Sequence, residues 1–435
     1  MPDRAGRAAT LLPTGTLAVG AGLLVLGAGM YVHLAVAGHG LPATGMAAVS
    51  VLWSLVFLLG LGVFLPVEQE LIRLVAARAA VGEGIIPVVR RSCVLCAVIL
   101  AAICVPLAAG AGPLARLLFG GDTAMLAELA SACAAMAVTT VSRGTLAGQG
   151  KFGAYGGQLA IDGGSRAVLA GALGLAGVHS AAAYGLILTV APLLSAALTL
   201  GPLLADLRPG PALPWKATSG RLAMLIATML LAQVIINVAV INVRLLSPGD
   251  PAVAGALLAA LVLARAPLFV FTSLQTALLP GLAGAVAAGD QPRFRVLLGR
   301  GCAIVTILGA AGGLPAVIFG PWLTRVLFGA RPVLGDPGFA WLAAGTLCYM
   351  LALVLGQGAI ALSRHRDQLL SWTCGVAVLA AVTALPGEVT TRVVAAYALG
   401  SGAVAAALAI VLIRHAPRQE PAEALLNAVT SLPGH

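Results

Sequence analysis

The sequence contains little charge, few aromatic residues and almost no lysine. Charged residues make up 9% of the 435 and aromatic residues 5%, and Lys151 and Lys216 are the only lysines among 25 basic residues. A soluble domain of this length would need far more polar surface, so a hydrophobic content of 60% predicts a membrane protein. The net charge of +10 therefore indicates membrane orientation and contact with anionic membrane lipids, not nucleic-acid binding.

The motifs of common enzymes are absent as well. The sequence has no GxxxxGK[ST] phosphate loop, which argues against ATP hydrolysis, and neither HExxH nor GxSxG. Cys93 and Cys96 form a CxxC without a second cysteine or histidine pair nearby, which favours core packing over metal or redox chemistry. An intramembrane enzyme would need a cluster of acids or histidines that these apolar segments lack. We therefore predict a transporter, with no enzymatic activity, cofactor or metal site.

Twelve apolar segments each have close to the 20 residues needed to cross a bilayer. The first, from about Thr14 to Ala37, is longer than the hydrophobic region of a signal peptide and is predicted to be retained. The other eleven are predicted at about residues 43–66, 87–111, 122–143, 154–177, 181–205, 218–243, 252–280, 295–319, 338–362, 368–387 and 391–413. The predicted fold is an all-α polytopic membrane protein with twelve transmembrane helices.

Basic residues are distributed very unequally between the two sets of loops. With the N-terminus inside, eighteen, Arg143 among them, fall in inner loops and tails and five in outer loops, and Arg166 and Arg265 remain within helices. The outer five are Arg116, Arg244, Arg325, Arg331 and Arg392. By the positive-inside rule, this predicts a multi-pass protein of the cytoplasmic membrane with both termini in the cytoplasm.

One segment occurs twice. The sequence GPLARLLFG at residues 112–120 follows helix 3, and GPWLTRVLFG at residues 320–329 follows helix 9; their Arg, Phe and final Gly residues share an offset of 209. Because six helices return the chain to the same side, this predicts two parallel six-helix repeats. The predicted division is an N-terminal lobe at 1–205, an inner linker at 206–217, a C-terminal lobe at 218–414 and a cytoplasmic tail at 415–435.

Helix 8 holds the most informative charge, Arg265, with Pro267 two residues later and Pro280 expected to end the helix. A charge at that depth costs roughly 2.5–3.5 kcal/mol on insertion scales, so it should face protein or a watery cavity. Pro267 removes a backbone donor and is expected to kink the helix beside Arg265. The alternatives are a buried ion pair or an arginine that extends to the interface, and the distance from either end of the helix disfavours the latter.

Other polar residues within the spans are candidates for substrate contact. Asp162 and Arg166 lie four residues apart on helix 5 and so share one face. They are interpreted as a self-neutralising pair, as a ligand site, or as both, with Asp162 holding Arg166 in place to bind an anion. Gln233 and Asn237 share a stripe with Arg244 on helix 7, where amides commonly join helices, and Gln275 is a weaker candidate.

A possible gate lies after helix 2. Residues 68–78 are predicted to form an interfacial amphipathic helix, in which Glu70 precedes Arg73 by three residues. This segment is either a solvated connector or a gate formed by Glu68, Glu70 and Arg73.

Three stretches together resemble a known family. They are FLPVEQELIR at 64–73, RGTLAG at 143–148 with Phe152, Tyr155, Asp162, Gly163 and Arg166, and ARAPLF at 264–269 with Gln275 and the LLP at 278–280. They resemble the actinobacterial polysaccharide-biosynthesis transporters. These belong to the multidrug/oligosaccharidyl-lipid/polysaccharide exporter superfamily, which also includes lipid II flippases and multidrug and toxin extruders. The resemblance extends over nearly the whole chain.

The resemblance implies two six-helix lobes around a V-shaped central cavity that opens alternately to either side. It also implies a flippase for an anionic lipid-linked oligosaccharide, with cavity cations such as Arg265 and Arg166 receiving its diphosphate. Polysaccharide polymerases or glycosyltransferases are the implied protein partners. The chain lacks helices 13 and 14, which many of these flippases use as a lipid-tail groove, and helix 1 lacks the acid of several drug extruders. A cation-coupled drug or metabolite exporter and a non-transporting scaffold remain as alternatives.

Overall fold

A computed structural model of the chain describes residues 15–212, 219–330 and 333–415. The predicted cytoplasmic tail beyond residue 415 and linker residues 213–217 lie outside this range, as does the side chain of Gln275. The described part consists of helices joined by short turns and loops, without strands. Its helices are α1 (Thr16–Gly40), α2 (Ala43–Leu59), α3 (Leu65–Ala80), α4 (Ile86–Ala109), α5 (Ala111–Phe119), α6 (Ala124–Gly148), α7 (Phe152–Leu175), α8 (Ala181–Leu198), α9 (Leu200–Leu204), α10 (Ser219–Leu246), α11 (Pro251–Ala264), α12 (Ala266–Ala287), α13 (Gln291–Phe328), α14 (Asp336–Ala361), α15 (His365–Thr383) and α16 (Val389–His415).

Twelve crossings can be counted in the described residues. Nine spans there are long and apolar enough to cross a membrane on composition alone. The other three predicted crossings correspond to α7, to α11 with α12, and to α15. The first of these contains Asp162 and Arg166, and the second is divided at Arg265 into two helices, of which Pro251–Ala264 is apolar but short. The predicted all-α membrane fold with about twelve helices is confirmed.

Successive crossings place the helix ends at two faces. We call the end of the molecule where α1 finishes the Gly40 face and the end where the α6–α7 turn lies the Gly150 face. The sequence predicts the Gly40 face to be outside and the Gly150 face to be cytoplasmic.

Several predicted helix ends are wrong. Residues 43–80 form one helix, in which a π-helical segment, Gly60–Phe64, joins α2 to α3. The segment 68–78, predicted to be a separate interfacial helix, is therefore the end of a crossing. Pro66 does not interrupt this crossing, because it stands in the first turn of α3, where its missing N–H is tolerated. α12 continues past Pro280 to Ala287, and α13 continues through Pro315 and Pro321 to Phe328. Membrane helices tolerate such prolines because neighbouring groups satisfy the freed carbonyls.

The helices pack mainly within two halves, the N-terminal half (α1–α9) and the C-terminal half (α10–α16). α1 packs on α7 and α6 on α8 in the first half, and α14 and α15 pack on α16 in the second. The halves meet mainly where α2 contacts α10 and α11. At the Gly40 face they also touch where the backbone of Phe328 closely approaches Gly38.

A seam of glycines sets the closest helix pair. On α1, Gly22 and Gly29 lie seven residues apart, and on α7 Gly156 and Gly163 have the same spacing. A Cβ built on Gly29 or Gly163 would lie far inside contact distance of the backbone of the other helix. Small residues allow such close helix approach in membranes. This seam holds α7, with Asp162 and Arg166, tightly against α1.

Replacement of Gly163 by alanine is expected to destabilise the protein strongly. The new Cβ would meet the backbone of Leu26 at 2.4 Å, so α1 and α7 would have to separate. A cost of about 1–3 kcal/mol is typical of overpacking, and the thermal midpoint in detergent should fall.

Gly164→Ala is the matched control. A Cβ at Gly164 meets nothing within 4 Å, so the Gly164→Ala protein should be as stable as the parent, or slightly more stable because alanine has the better helix propensity. Equal midpoints for the two variants would contradict the seam.

Candidate functional site

Arg265 occupies a break between two helices. α11 ends at Ala264 and α12 begins at Ala266, with Arg265 between them in a non-helical conformation. Pro267, in the first turn of α12, explains the break because it lacks the N–H that a continuous helix would bond to Leu263. The predicted kink beside Arg265 is therefore a full interruption, and it fixes the guanidinium at the junction.

The Arg265 side chain is half-buried beside aromatic residues of both halves. Its Nη2 donates to the carbonyl of Ile236 on α10, and its guanidinium carbon lies 5.6 Å from the ring centroid of Tyr397 on α16. From the N-terminal half, the Tyr31 hydroxyl donates to the Val262 carbonyl at 2.7 Å, one turn before Arg265. The Nε of Arg265 has no hydrogen-bond partner among the described residues. The site thus brings an arginine with spare donors to the junction of the two halves.

The acids of the C-terminal half do not neutralise Arg265. The described ones are Asp250, Asp290, Asp336, Asp367 and Glu388. All five lie at or beside the first turn of a helix: three accept hydrogen bonds from backbone N–H groups there, and the other two stand in the first turns of α14 and α15. Carboxylates are stabilised at such positions by the helix dipole. Among the described residues, no ion pair involves Arg265, so its charge lacks a counterion in this structure.

The N-terminal half contains a buried charge network of a different kind. Asp162 accepts from Arg166 Nε at 2.8 Å and from Arg143 Nη2 at 2.7 Å, and all three side chains are largely buried. The predicted Asp162–Arg166 pair is therefore present. Arg143, which the sequence assigned to an inner loop, is instead within α6 and completes the network. Arg166 Nη1 has no partner among the described residues, so one donor group is left over.

The three gate candidates separate into two groups. Glu70 and Arg73 form a two-bond ion pair at 2.6 and 2.9 Å, with Arg73 exposed. Glu68 is buried, and its carboxylate accepts from the Tyr155 hydroxyl near Arg143. Glu68 therefore belongs with the buried network and not with the Glu70–Arg73 pair.

The amide pair of α10 is bonded to itself. Asn237 Nδ2 donates to the side-chain oxygen of Gln233 at 2.9 Å and to its carbonyl at 3.1 Å. The pair lies where α10 packs on the π-helical segment, since a Cβ on Gly62 would lie 3.6 Å from Gln233. Its contact with substrate stays a prediction. The side chain of Gln275 lies outside the described residues, so its role stays a prediction too.

The structure does not gather the predicted site residues in one place. Every described contact of Arg166 and Asp162 is within the N-terminal half, whereas Arg265 contacts α10 and α16. Sequence analysis missed the tyrosines near Arg265 and the role of Arg143. The available signal was rarity, because the chain has five tyrosines and all lie within helices.

The fold has close counterparts among solved structures. A multidrug resistance MATE family transporter of the MOP superfamily in its inward-facing conformation matches with a TM-score of 0.68 at 12% identity, covering 92% of this chain and 97% of that chain. The outward-facing conformation gives 0.63 at 13% identity over 92% and 96%. A MOP superfamily transporter from Pyrococcus furiosus, described as having a binding pocket of reverse polarity that suggests a different function, gives 0.61 at 13% over 92% and 96%.

Sequence relatives are more limited in extent, and no family model matches the chain. The uncharacterized protein Rv1510 of Mycobacterium tuberculosis is 34% identical over 149 residues, and the uncharacterized protein Mb3654 of Mycobacterium bovis is 31% identical over 149 residues. Each match covers 34% of this chain and 34% of the relative, about a third of either length. The match to the solved structures over 92% of the chain shows that it has the fold of MATE family transporters of the MOP superfamily.

Proposed function

We propose that the protein is an alternating-access transporter that moves an anionic lipid-linked oligosaccharide, or a similar cell-envelope precursor, across the cytoplasmic membrane. The observation that carries this proposal is Arg265, an arginine at a helix break between the two halves that forms no ion pair with any described residue. A guanidinium presents a planar array of donors suited to two phosphate oxygens at once. The diphosphate that joins a sugar to a lipid carrier supplies such oxygens.

The N-terminal network has a supporting role in this proposal. Asp162 orients Arg166 and Arg143, and the free Nη1 of Arg166 offers a second donor for the anion when the halves rearrange. The Glu70–Arg73 pair, at the end of the crossing near the Gly150 face, is proposed as a cytoplasmic gate. The substrate, membrane lipids and envelope glycosyltransferases or polymerases are the proposed partners.

Export of drugs or metabolites is the second candidate, favoured by the multidrug MATE transporters among the structural neighbours. The two candidate functions require binding sites of opposite charge. An organic cation would be repelled by the uncompensated charge of Arg265, whereas a diphosphate would be attracted.

Reconstitution separates these candidates. Purified protein in liposomes should make a fluorescent polyprenyl-diphosphate sugar accessible to a reagent added on the far side. It should not exchange an organic cation for protons. Cation–proton exchange without movement of the lipid-linked sugar would overturn the proposed substrate.

The proposed orientation can be tested by labelling. Gly249 at the Gly40 face and Gly201 at the Gly150 face are both exposed, and a side chain at either meets nothing within 4 Å. In a background without the native cysteines, Gly249→Cys should react with an impermeant thiol reagent on intact cells, and Gly201→Cys should react only after lysis. Labelling of Gly201→Cys in intact cells would reverse the orientation.

A further inference from the structure

A cavity lies between the halves at the Gly40 face, away from Arg265. Its volume is about 270 Å³, enough for a phosphate group with several waters. The N-terminal half contributes Thr44 from α2 and Phe119 and Gly120 from the end of α5, and the C-terminal half contributes Arg244, Pro248 and Pro251. A cavity lined by both halves will change shape when the halves move relative to each other.

Arg244 is the charged residue of this cavity and is only weakly held. Its Nε donates to the Leu118 carbonyl and its Nη1 to the Pro248 carbonyl, both at 3.4 Å. These distances exceed the usual 2.7–3.2 Å, and a guanidinium has five N–H donors, so the described residues satisfy only a small part of its bonding capacity. No described carboxylate forms an ion pair with Arg244. The Leu118 contact joins the two halves, so it must break when they part at this face.

The cavity is positively polarised by a second feature. Thr44 stands in the first turn of α2, whose N-cap residue, Pro42, offers no side-chain acceptor. The free N–H groups and the dipole of α2 therefore add positive potential beside Arg244.

Arg244 also lies directly along the helix that Arg265 contacts. Arg265 donates to Ile236, and Arg244 is eight residues further along α10 toward the Gly40 face. At 1.5 Å per residue, Ile236 and Arg244 are about 12 Å apart along the axis of α10. Along α10, the contact with Arg265 at Ile236 is thus followed by Arg244 nearer the Gly40 face, and neither arginine forms an ion pair with a described residue.

We propose that Arg244 and its cavity form a second anion site, at the exit, that receives the phosphate groups of the departing substrate. This inference rests on the proposed function and adds a second position to it. In the state described, Arg244 bonds the Leu118 carbonyl and helps to close the Gly40 face. When the halves part, its guanidinium exchanges that carbonyl for phosphate oxygens and draws the anion away from Arg265.

The test is calorimetric titration of the purified full-length protein with inorganic pyrophosphate at fixed salt. The parent should bind at two sites. Arg244→Gln should lose one of them, Arg265→Gln the other, and Arg244→Lys should weaken its site less than glutamine does, because a lysine retains the charge without the fork. Arg325→Gln is the matched control, since Arg325 is an exposed cation near the same face that does not line the cavity. It should bind as the parent does.

The outcomes separate the two proposals. Pyrophosphate binding unchanged by Arg244→Gln but reduced by Arg265→Gln overturns the exit site and leaves the proposed function standing. Binding unchanged by Arg265→Gln but reduced by Arg244→Gln removes the basis of the proposed function and keeps the anion site at Arg244. Equal losses in all variants, Arg325→Gln included, or no binding in the parent, overturn the exit site. Elution volume and thermal midpoint, measured on each variant, identify any loss of folding, and Arg244→Lys then supplies the comparison.

Discussion

Arg265→Ala is expected to abolish movement of a lipid-linked diphosphate sugar while leaving the protein folded and inserted. Loss of a desolvated, hydrogen-bonded charge partner typically costs 2–5 kcal/mol of binding, so affinity for the anion should fall by roughly two orders of magnitude or more. Stability should not fall, because removing a charge that lacks a counterion relieves a desolvation cost. The measurement is the liposome assay together with the thermal midpoint in detergent.

Two controls sharpen this prediction. Arg265→Lys keeps the charge and loses the planar fork, so it should retain a fraction of the activity. Arg325→Ala removes an exposed cation near the Gly40 face and should transport at the parental rate. Parental transport by Arg265→Ala would show that the helix break does not bind the substrate.

The second large effect is on stability and concerns Asp162. Asp162→Asn removes the one carboxylate that both ion pairs share, so it leaves Arg166 buried without its ion-pair partner and Arg143 with only the neighbouring Glu68. Breaking a buried pair from one side costs about 3–5 kcal/mol, so the thermal midpoint and the yield of folded protein should fall sharply. Thermal unfolding followed by size-exclusion in detergent measures this effect.

The same charge removal at the surface is the matched control for Asp162→Asn. Glu70→Gln breaks the pair with Arg73, which is exposed, and such pairs contribute roughly 0–1 kcal/mol. Replacing Arg143, Asp162 and Arg166 together by methionine, leucine and methionine should restore stability, because an apolar set of similar volume needs no counterion. A stable Asp162→Asn protein would mean that water reaches the network.

The sequence was sufficient to predict the crossings, because hydropathy and segment length are local properties. It placed Arg265 beside a backbone irregularity for the same reason, since the effect of Pro267 acts on its own helix. The predicted helix ends at Pro66, Pro280 and Phe319 were wrong because neighbouring helices support the backbone there, and no local pattern records those neighbours.

The sequence predicted contacts between site residues within one helix, but not the contacts that join residues of different helices. The four-residue spacing of Asp162 and Arg166 gave their pairing directly, because it lies within one helix. Arg143 was assigned to a loop, since its bond to Asp162 joins residues on different helices. The contact of Tyr397 with Arg265 spans 132 positions of sequence and requires the whole C-terminal half to be folded.

The charge of Arg265, which no described carboxylate pairs with, has an electrical consequence. In the proposed cycle the empty site carries one positive charge, and a bound diphosphate, with about two negative charges, makes it negative. An inside-negative membrane potential acts on these charges by roughly 2.3 kcal/mol per charge per 100 mV, weighted by the fraction of the field crossed. It favours outward movement of the loaded, negative site and inward return of the empty, positive one. Both half-cycles are then driven in the export direction by voltage alone, and dissipating the potential with an ionophore should slow transport even where no ion gradient is present.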